Sequence, residues 1–272
     1  MRAHNRDQRH PGRPSPDGPR RAAGRRPHAT EADSETVVLY GWHTVTAALA
    51  NPARRFRRLL ATENAARRLA EETIVLPLSP EVVRPDAIAQ RLGADAVHQG
   101  LYAEADSLPS PDIDDLALDG NVLALDQITD PHNVGAILRS AAAFAVAAIV
   151  TTARHSPEAT GVLAKAASGA LEHVPLVTVQ NLSRGLASLK DRGFLLVGLD
   201  STGESDLATV PLRAPLALVL GAEGKGLRLL TRATCDVVAR LDVPGAIKSL
   251  NVSNAAALAL YVALAQLRKP HP

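Results

Sequence analysis

The second half of the chain alternates short, almost continuous apolar runs with longer segments of helical periodicity. The apolar runs, which have the length of strands, are 122–125, 148–150, 174–179, 194–199 and 216–220. Helices are predicted over 133–145 and 157–167 and after Asn181, a residue type that favours helix N-termini. Apolar strands separated by helices are typical of a parallel sheet that is covered on both faces. The pattern therefore predicts an α/β fold.

A shorter region before it also alternates strands with helices. Strands are predicted over 37–40, 57–61 and 97–105, and helices over 43–49, 65–71 and 86–92. Residues 107–119, with two prolines and several acidic residues, are predicted to be a linker. The chain is thus divided into a tail (1–36), a small α/β domain (37–106), the linker (107–119) and a larger domain (120–272).

The last helical segment is preceded by an unusual number of small polar residues. Residues 255–264 are apolar almost throughout, and a helix that is apolar all round is expected to be buried. Ser249, Asn251, Ser253 and Asn254 crowd its start, although one capping side chain is sufficient. We expect this cluster to open onto a pocket. The alternative is an over-supplied helix cap without further function.

Composition limits the possible classes of protein. The 46% of apolar residues can form a large core, and the single cysteine, Cys235, excludes an intrachain disulfide and fits a reducing, cytoplasmic environment. Neither a membrane span nor a secretory signal is expected, because no long apolar run is present and the N-terminus is rich in arginine and proline.

Positive charge is concentrated near the N-terminus. Residues 1–28 contain eight arginines and two aspartates, whereas the whole chain has a formal net charge of only +2. This tail is predicted to be disordered and to attract phosphate backbones, with a merely solubilising tail as the alternative. A second group of arginines is expected to make one side of the small domain positive and to favour a polyanionic partner. Its members are Arg54, Arg55, Arg57, Arg58, Arg67 and Arg68.

The first candidate site is Asp130–Arg139, which follows an apolar strand. Arg139 is the one charge in an otherwise apolar helical segment, and an unpaired buried charge costs several kcal/mol. Arg139 is therefore expected to be paired or functional, unless its side chain reaches solvent. His132 and Asp130 lack further ligands at suitable spacing, so no metal site is expected.

Two further candidate sites follow later strands. The glycine-rich loop 220–227 allows close approach of a ligand to the backbone. It matches neither the phosphate-binding nor the dinucleotide-binding glycine pattern, which argues against a nucleotide-dependent oxidoreductase. The third segment, 241–245, leads into the polar cluster at 249–254. In parallel sheets, ligands bind beyond the carboxyl ends of the strands, where all three segments are predicted.

In this order, the three segments resemble the motifs of the TrmH/SpoU family of RNA ribose 2′-O-methyltransferases, within the SPOUT class. The residues that carry the resemblance are 130–139, 220–227 and 249–253, helped by 168–172 and Pro175. The resemblance covers about 120–267, and 37–105 looks like the family's small substrate-binding domain. One departure is Leu241-Asp242-Val243, where the family commonly has Ile-Pro-Met.

The resemblance implies S-adenosylmethionine as methyl donor, a homodimer and a C-terminal trefoil knot. By position, the family's catalytic residues fall on Asn133, Arg139, Glu223, Ser249 and Asn251. The cofactor-binding residues fall on Leu220, Gly221, Ala222, Leu241, Val243, Leu250 and Ser253. The branch that modifies a guanosine of 23S ribosomal RNA is favoured by the extra small domain, and transfer RNA or another ribosomal position stays open.

The role of Arg139 is the main mechanistic question. Members of the family are thought to use this arginine as a base, but a guanidinium is protonated at any working pH. We therefore assign Arg139 to orienting the ribose hydroxyl and stabilising negative charge, and the other four residues to holding Arg139 and the nucleotide. A non-catalytic RNA-binding protein on the same scaffold is the rival interpretation.

Overall fold

The computed structural model describes residues 35–93, 95–118, 120–154, 161–247 and 249–268. The predicted tail up to residue 34, Lys248 and the first residues of the predicted helix 157–167 lie outside this part of the chain. Within it, no helix has both the length and the apolar character needed to cross a bilayer.

The first of two sheets contains four strands. Its region comprises β1 (Thr36–Tyr40), α1 (Trp42–Ala50), β2 (Phe56–Ala61), α2 (Glu63–Glu71), β3 (Glu81–Val82), α3 (Pro85–Leu92) and β4 (Leu101–Asp106). The strand order is β1, β4, β2, β3, with β4 antiparallel to both of its neighbours and β3 parallel to β2. Strand β4 begins later than predicted because Gln99 and Gly100 have φ of 53° and 81° and form a turn. The two-residue β3 was not predicted.

The second sheet contains seven strands. Its region comprises β5 (Val122–Asp126), α4 (Pro131–Ala143), β6 (Ala148–Thr152), α5 (Gly161–Ala167), β7 (Leu176–Val179), α6 (Leu182–Asp191), β8 (Leu195–Leu199), β9 (Ser205–Asp206), β10 (Leu216–Gly221), α7 (Leu229–Thr234), β11 (Val237–Arg240) and α8 (Val252–Leu267). The order is β7, β6, β5, β10, β8, β11, β9, and all pairs are parallel. The predicted α/β fold with a parallel sheet is confirmed.

Both faces of this sheet are covered, which explains why its strands are apolar throughout. Leu123 and Leu125 on β5 belong to the core cluster that includes residues of α4 and α8. Val122 and Ala124 point to the opposite face and belong to the cluster that includes residues of α6. Successive side chains of a strand alternate between faces, so each strand must be apolar at every position.

The predicted linker is packed against the larger sheet's region. Ile113 and Leu116 are buried in the same core cluster as α6 residues. The Arg192 guanidinium donates to the Ile113 carbonyl at 2.6 Å and also to the Leu116 carbonyl. Residues 113–115 form a short 3-10 helix. This segment is therefore held in place over part of its length.

The predicted positive side of the small domain is largely neutralised by ion pairs. Arg54 does not lie on a solvated face at all, because its side chain is 4% exposed and pairs with Glu172 at 2.6 Å. The exposed pairs are Arg57 with Asp106, Arg58 with Glu81, and Arg68 with Glu72. The pattern of arginines in the sequence did not show these partners, which are distant in sequence in all but the last case.

The prediction that the last helix is fully buried is wrong for this single chain. Val252, Ala256, Ala259, Leu260 and Ala263 of α8 are buried. Leu258 and Tyr261, however, are 46% and 64% exposed, and they follow each other at helical spacing. One side of α8 thus presents apolar surface to solvent.

Candidate functional site

The loops after the central strands of the large sheet meet at one edge. Gly221 at the end of β10 is paired with Asp126 at the end of β5, and Leu220 is paired with Leu199 at the end of β8. Ala239 on β11 is paired with Leu199 as well. The carboxyl ends of four strands are therefore level, and the segments that follow them surround one space.

That space is a cavity of about 540 Å³. It is lined by four groups of residues: 199–202, 220–226, 241 with 243, and 249, 250, 252 and 255. Six of the seven predicted cofactor-binding residues line it: Leu220, Gly221, Ala222, Leu241, Val243 and Leu250. Glu223 and Ser249 of the predicted catalytic set line it too. Two of the three segments that the sequence singled out, the glycine-rich loop and the stretch from Leu241 into the polar cluster, thus share one cavity, and no described residue of the first segment, 130–139, lines it.

The glycine-rich loop folds back on itself along this cavity. The Gly226 N–H donates to the Ala222 carbonyl at 2.9 Å. A Cβ on Gly221 would lie 2.2 Å from the carbonyl carbon of Gly226, which is far inside contact distance. Gly221 therefore has to be glycine for the two sides of the loop to approach each other.

Asp200, which sequence reasoning missed, fixes the other side of the loop. Its carboxylate accepts hydrogen bonds from the Leu227 N–H at 3.2 Å and from the Thr202 N–H at 2.9 Å and hydroxyl at 2.7 Å. Partial burial opposes ionisation, but these hydrogen bonds and nearby Arg232 outweigh it and lower the pKa of Asp200. The signal in the sequence was its position directly after the apolar strand 194–199, the same rule that selected the other loops.

A second carboxylate connects the first and second motifs. Asp126 is completely buried at the end of β5 and accepts from the Arg228 backbone N–H at 3.0 Å and from its Nε at 2.6 Å. Arg228 follows the glycine-rich loop and is the N-cap of α7. Gln127, directly after Asp126, has a φ of 59°, a strained conformation for a residue with a side chain. The Asp126–Arg228 pair connects the end of the glycine-rich loop to the strand that leads into the first motif.

Two predicted catalytic residues from distant parts of the chain are in contact. The Asn251 Nδ2 donates to the Asn133 Oδ1 at 3.0 Å. The Asn251 Oδ1 accepts from the N–H and the hydroxyl of Ser253, so Asn251 is the N-cap of α8. Ser253 does not line the cavity and supports this cap, which distinguishes it from the other predicted cofactor-binding residues.

Arg139 lies on the exposed side of α4, and its charge is therefore solvated. The alternative that its side chain reaches solvent therefore describes the single chain, because α4 is buried only along the side of Val134, Ile137 and Leu138. No hydrogen bond or ion pair joins Arg139 to Asn133, Glu223, Ser249 or Asn251 among the residues that the structure describes. The single chain thus joins the two asparagines and leaves Arg139 at the surface of α4, six residues after Asn133.

The residues around the cavity fit the cofactor that the resemblance implies. The glycine-rich loop has room for the close approach of Gly221 to Gly226 only without a side chain at Gly221, and both glycines line the cavity. Leu220, Leu241 and Leu250 provide apolar contacts for a planar ring, and Asp200 places an ionised carboxylate in the lining. Concave, mainly apolar pockets with a few fixed polar groups are typical of small-molecule sites.

The chain matches known families over both of its sheets. A model of the SpoU rRNA methylase family matches residues 120–261. A model described as RNA 2′-O ribose methyltransferase substrate binding matches residues 38–111. The 23S rRNA (guanosine-2′-O-)-methyltransferase RlmB of Ralstonia nicotianae is 38% identical over 243 residues, which cover 86% of this chain and 97% of that protein.

Two solved structures have similar folds. A putative RNA methyltransferase of the TrmH family from Porphyromonas gingivalis has a TM-score of 0.70 and 27% identity, covering 86% of this chain and 90% of that one. The SpoU methyltransferase AviRb from Streptomyces viridochromogenes, in complex with AdoMet, has a TM-score of 0.73 and 23% identity, covering 85% and 90%. At that identity the second similarity concerns the fold alone. From the family model and the relative of which almost the whole length is covered, we conclude that this chain belongs to the SpoU rRNA methylase family.

Proposed function

We propose that this protein transfers a methyl group from S-adenosylmethionine to the ribose 2′-hydroxyl of a guanosine in 23S ribosomal RNA. The observation that carries the proposal is the cavity of about 540 Å³ at the carboxyl edge of the large sheet, which is lined by the glycine-rich loop 220–226 and by Leu241, Val243, Ser249 and Leu250 of the third segment. The choice of RNA is supported by the relative from Ralstonia nicotianae, which is a 23S rRNA guanosine methyltransferase.

The chemistry required of the protein is mainly positioning. S-adenosylmethionine supplies an electrophilic methyl group when it is bound. The protein has to hold the ribose hydroxyl in line and favour the negative charge that develops on its oxygen. We assign the cofactor to the loops around Gly221, Leu241 and Leu250, and the ribose to the side where Ser249 and the Asn133–Asn251 pair lie.

Arg139 is proposed to orient the hydroxyl and to stabilise its oxygen as the proton leaves. A guanidinium retains its proton at working pH, and it carries several N–H donors in one plane. Glu223 and Ser249, which line the cavity, are proposed to position the nucleotide and Arg139. Because Arg139 is exposed in the single chain, this role fits a site that is completed when RNA or a second subunit binds.

The second subunit is the next element of the proposal. Leu258 and Tyr261 form exposed apolar surface on α8. Helix α4, which carries exposed Arg139, packs on α8. Apolar surface beside a site is typical of an interface. We propose a homodimer in which this surface is covered, as the resemblance to the SPOUT class implies. A sedimentation experiment with Tyr261→Asp tests it, and an unchanged dimer would contradict this choice of surface.

Five further assignments complete the proposal. We propose that the small sheet's region, about 37–106, binds the RNA, that 120–272 is the catalytic domain, and that the arginine-rich tail adds non-specific attraction to RNA. A C-terminal trefoil knot is proposed on the basis of the resemblance and is consistent with the packing of α8 on α4 and β10. A cytoplasmic location is proposed because ribosomal RNA is the substrate.

The decisive experiment is nucleoside mass spectrometry of ribosomal and transfer RNA from cells that lack this protein. Loss of one 2′-O-methylguanosine from 23S RNA, restored by the wild-type gene and not by Arg139→Ala, is the expected result. Loss of a methylated nucleoside from transfer RNA would move the substrate to that class. Unchanged modification in all RNA would favour the non-catalytic RNA-binding alternative.

A further inference from the structure

A second cavity, distant in sequence from the methyl-transfer motifs, lies in the region of the small sheet. It has a volume of about 310 Å³ and includes in its lining Trp42, Asn64, Arg68, Pro85, His98 and Gln99. These residues come from the starts of α1 and α3, from α2 and from the turn before β4. The mechanism proposed above gives none of them a role.

The floor of this cavity is a stacked pair of planar groups. The Arg68 guanidinium carbon lies 3.7 Å from the centroid of the Trp42 ring. Trp42 is only 4% exposed, whereas the Arg68 side chain is 54% exposed, so the guanidinium covers the indole from the solvent side. The Arg68 Nε donates to Glu72 at 2.8 Å, which keeps the guanidinium in this orientation. The outer face of a fixed, planar cation is thus open to a second planar group.

The rim of the cavity presents hydrogen-bond donors. The His98 Nδ1 accepts from the Gly100 N–H at 3.1 Å, so a neutral His98 carries its proton on Nε2. The Gln99 Oε1 accepts from the backbone N–H of Trp42 and from the Lys165 Nζ, both at 3.0 Å. This leaves the two N–H groups of the Gln99 amide for another partner, since no described residue accepts from them.

The turn that carries these side chains is strained. Gln99 has a φ of 53°, in the left-handed region that residues with a side chain seldom adopt. Its two contacts through Oε1 offset that cost, and the contact with Lys165 connects the turn to α5 of the large sheet's region. Strained residues that are held by their surroundings cluster at ligand sites.

We propose that this cavity, called here the Trp42 cavity, binds one unpaired nucleobase of the RNA substrate. The base stacks on the outer face of Arg68, with Trp42 behind it, and the donors of Gln99 and His98 meet acceptor atoms on the edge of the base. Single-stranded RNA is recognised by such stacking on aromatic and guanidinium planes. The inference rests on the proposed function, in that it names how the substrate RNA is held away from the reacting ribose.

The chain provides its own reporter for this contact, because Trp42 is its only tryptophan. Binding of an unmodified 23S RNA transcript to the full-length protein is expected to change the tryptophan emission. In parallel, affinity is measured by filter binding for wild type, Arg68→Lys and Arg67→Lys. The two variants retain the charge and differ only in which of two adjacent arginines of α2 loses its planar group.

Arg68→Lys is expected to weaken RNA binding by about tenfold, as loss of one stacked base predicts, whereas Arg67→Lys leaves it nearly unchanged. Equal affinities for wild type and Arg68→Lys would overturn the proposal. So would RNA binding without a change in Trp42 emission, which would move the contact to another surface.

A second variant tests the rim without touching the stack. Gln99→Glu retains an oxygen for the backbone N–H of Trp42 and for Lys165. It replaces the two amide N–H donors by an acceptor oxygen, so weaker RNA binding is expected. Gln90→Glu, at an exposed position of α3, adds the same charge outside the cavity and controls for general repulsion. Equal losses for both variants would contradict a specific role of Gln99.

The methyl-transfer assay on the same transcript separates this inference from the proposed function. If the wild type transfers the methyl group and Arg68→Lys binds RNA with unchanged affinity, the enzyme assignment holds and the Trp42 cavity is not a base site. If RNA binding changes the Trp42 emission and Arg68→Lys weakens it, but no methyl transfer occurs, the Trp42 cavity is a base site and the enzyme assignment is wrong.

Discussion

Arg54 and Glu172 form a buried bidentate ion pair that joins the region of the small sheet to that of the large sheet. The Arg54 Nη2 and Nε donate to Glu172 at 2.6 and 3.2 Å, and the side chains are 4% and 3% exposed. The Asn51 Nδ2 adds a third donor to Glu172 at 2.7 Å. A pair so enclosed resists sliding of one region on the other, because either charge alone in this place is very unfavourable.

Arg54→Ala is expected to lower the free energy of unfolding by about 3–5 kcal/mol, because it leaves the Glu172 carboxylate buried without its cation. Glu172→Gln should also lower it, because it leaves the Arg54 guanidinium buried without its anion and places an amide nitrogen against N–H donors. Urea unfolding followed by circular dichroism measures both. Arg58→Ala, which removes an exposed ion pair with Glu81, is the control and should change stability little. A similar loss for Arg54→Ala and the control would contradict the interpretation.

Asn251→Asp should separate the structural role of this residue from its catalytic role. The aspartate retains an oxygen for the Ser253 N–H and thus the cap of α8, so stability should change by less than about 0.5 kcal/mol. It removes the donor to the Asn133 Oδ1, and methyl transfer should fall by about tenfold or more as positioning is lost. Thermal unfolding and a methyl-transfer assay are compared. Asn251→Ala should impair both, whereas full activity of the aspartate variant would exclude the contact from catalysis.

Arg139→Ala is expected to abolish methyl transfer while the fold and the affinity for S-adenosylmethionine persist. Because Arg139 is exposed, its loss should change stability by less than about 0.5 kcal/mol. Calorimetric titration measures the affinity for S-adenosylmethionine, and the transfer assay measures the activity. Simultaneous loss of cofactor binding and activity would indicate a structural role for Arg139.

Gly221→Ala is expected to weaken binding of S-adenosylmethionine by more than about tenfold, equivalent to 1.4 kcal/mol. The added Cβ would come 2.2 Å from the Gly226 carbonyl carbon and would push the loop apart. Gly245→Ala is a matched control in the neighbouring loop, where the Cβ would meet nothing within 4 Å. Calorimetric titration with the cofactor measures both variants, and equal affinities would mean that the loop does not form the cofactor site.

The lowered pKa of Asp200 predicts that the free energy of unfolding decreases in acid. The pKa of its carboxyl is lower in the folded protein than the ordinary 3.8, so the unfolded chain binds more protons in that range. Its contribution is therefore fully present above about pH 5 and is lost as pH falls through 3.8 and below. Wild type should exceed Asp200→Asn in thermal stability at neutral pH, and the difference should shrink in acid. A difference that is independent of pH would assign the effect to another cause.

Cys235 illustrates how an isolated residue in the sequence acquires its properties from the fold. Burial first, and then the neighbouring Asp236, raises the pKa of the Cys235 thiol to about 12. The thiol is therefore protonated at neutral pH and a poor nucleophile. Its presence as the single cysteine indicated the absence of an intrachain disulfide, and the structure adds that its reactivity is low.

Most elements of the large sheet could be predicted because their physical requirement is local. The apolar runs at 122–125 and 216–220 are strands, and Asn181 and Asn251 are caps, as the sequence pattern indicated. Elements of two residues, such as β3 and β9, have too few positions to produce a pattern. The prediction for α8 was incomplete because composition describes the whole helix, whereas burial depends on which side faces the core.

The sequence alone determined the class of fold, the three motif loops and the chemistry of their side chains, since these follow from periodicity and from residue types at short spacing. Only the tertiary structure decided which distant residues meet. It placed Asn133 against Asn251, Arg54 against Glu172, and Asp200 against the glycine-rich loop. The physical reason is that such contacts depend on strand order and helix packing, and these are set by the whole core and not by any local segment.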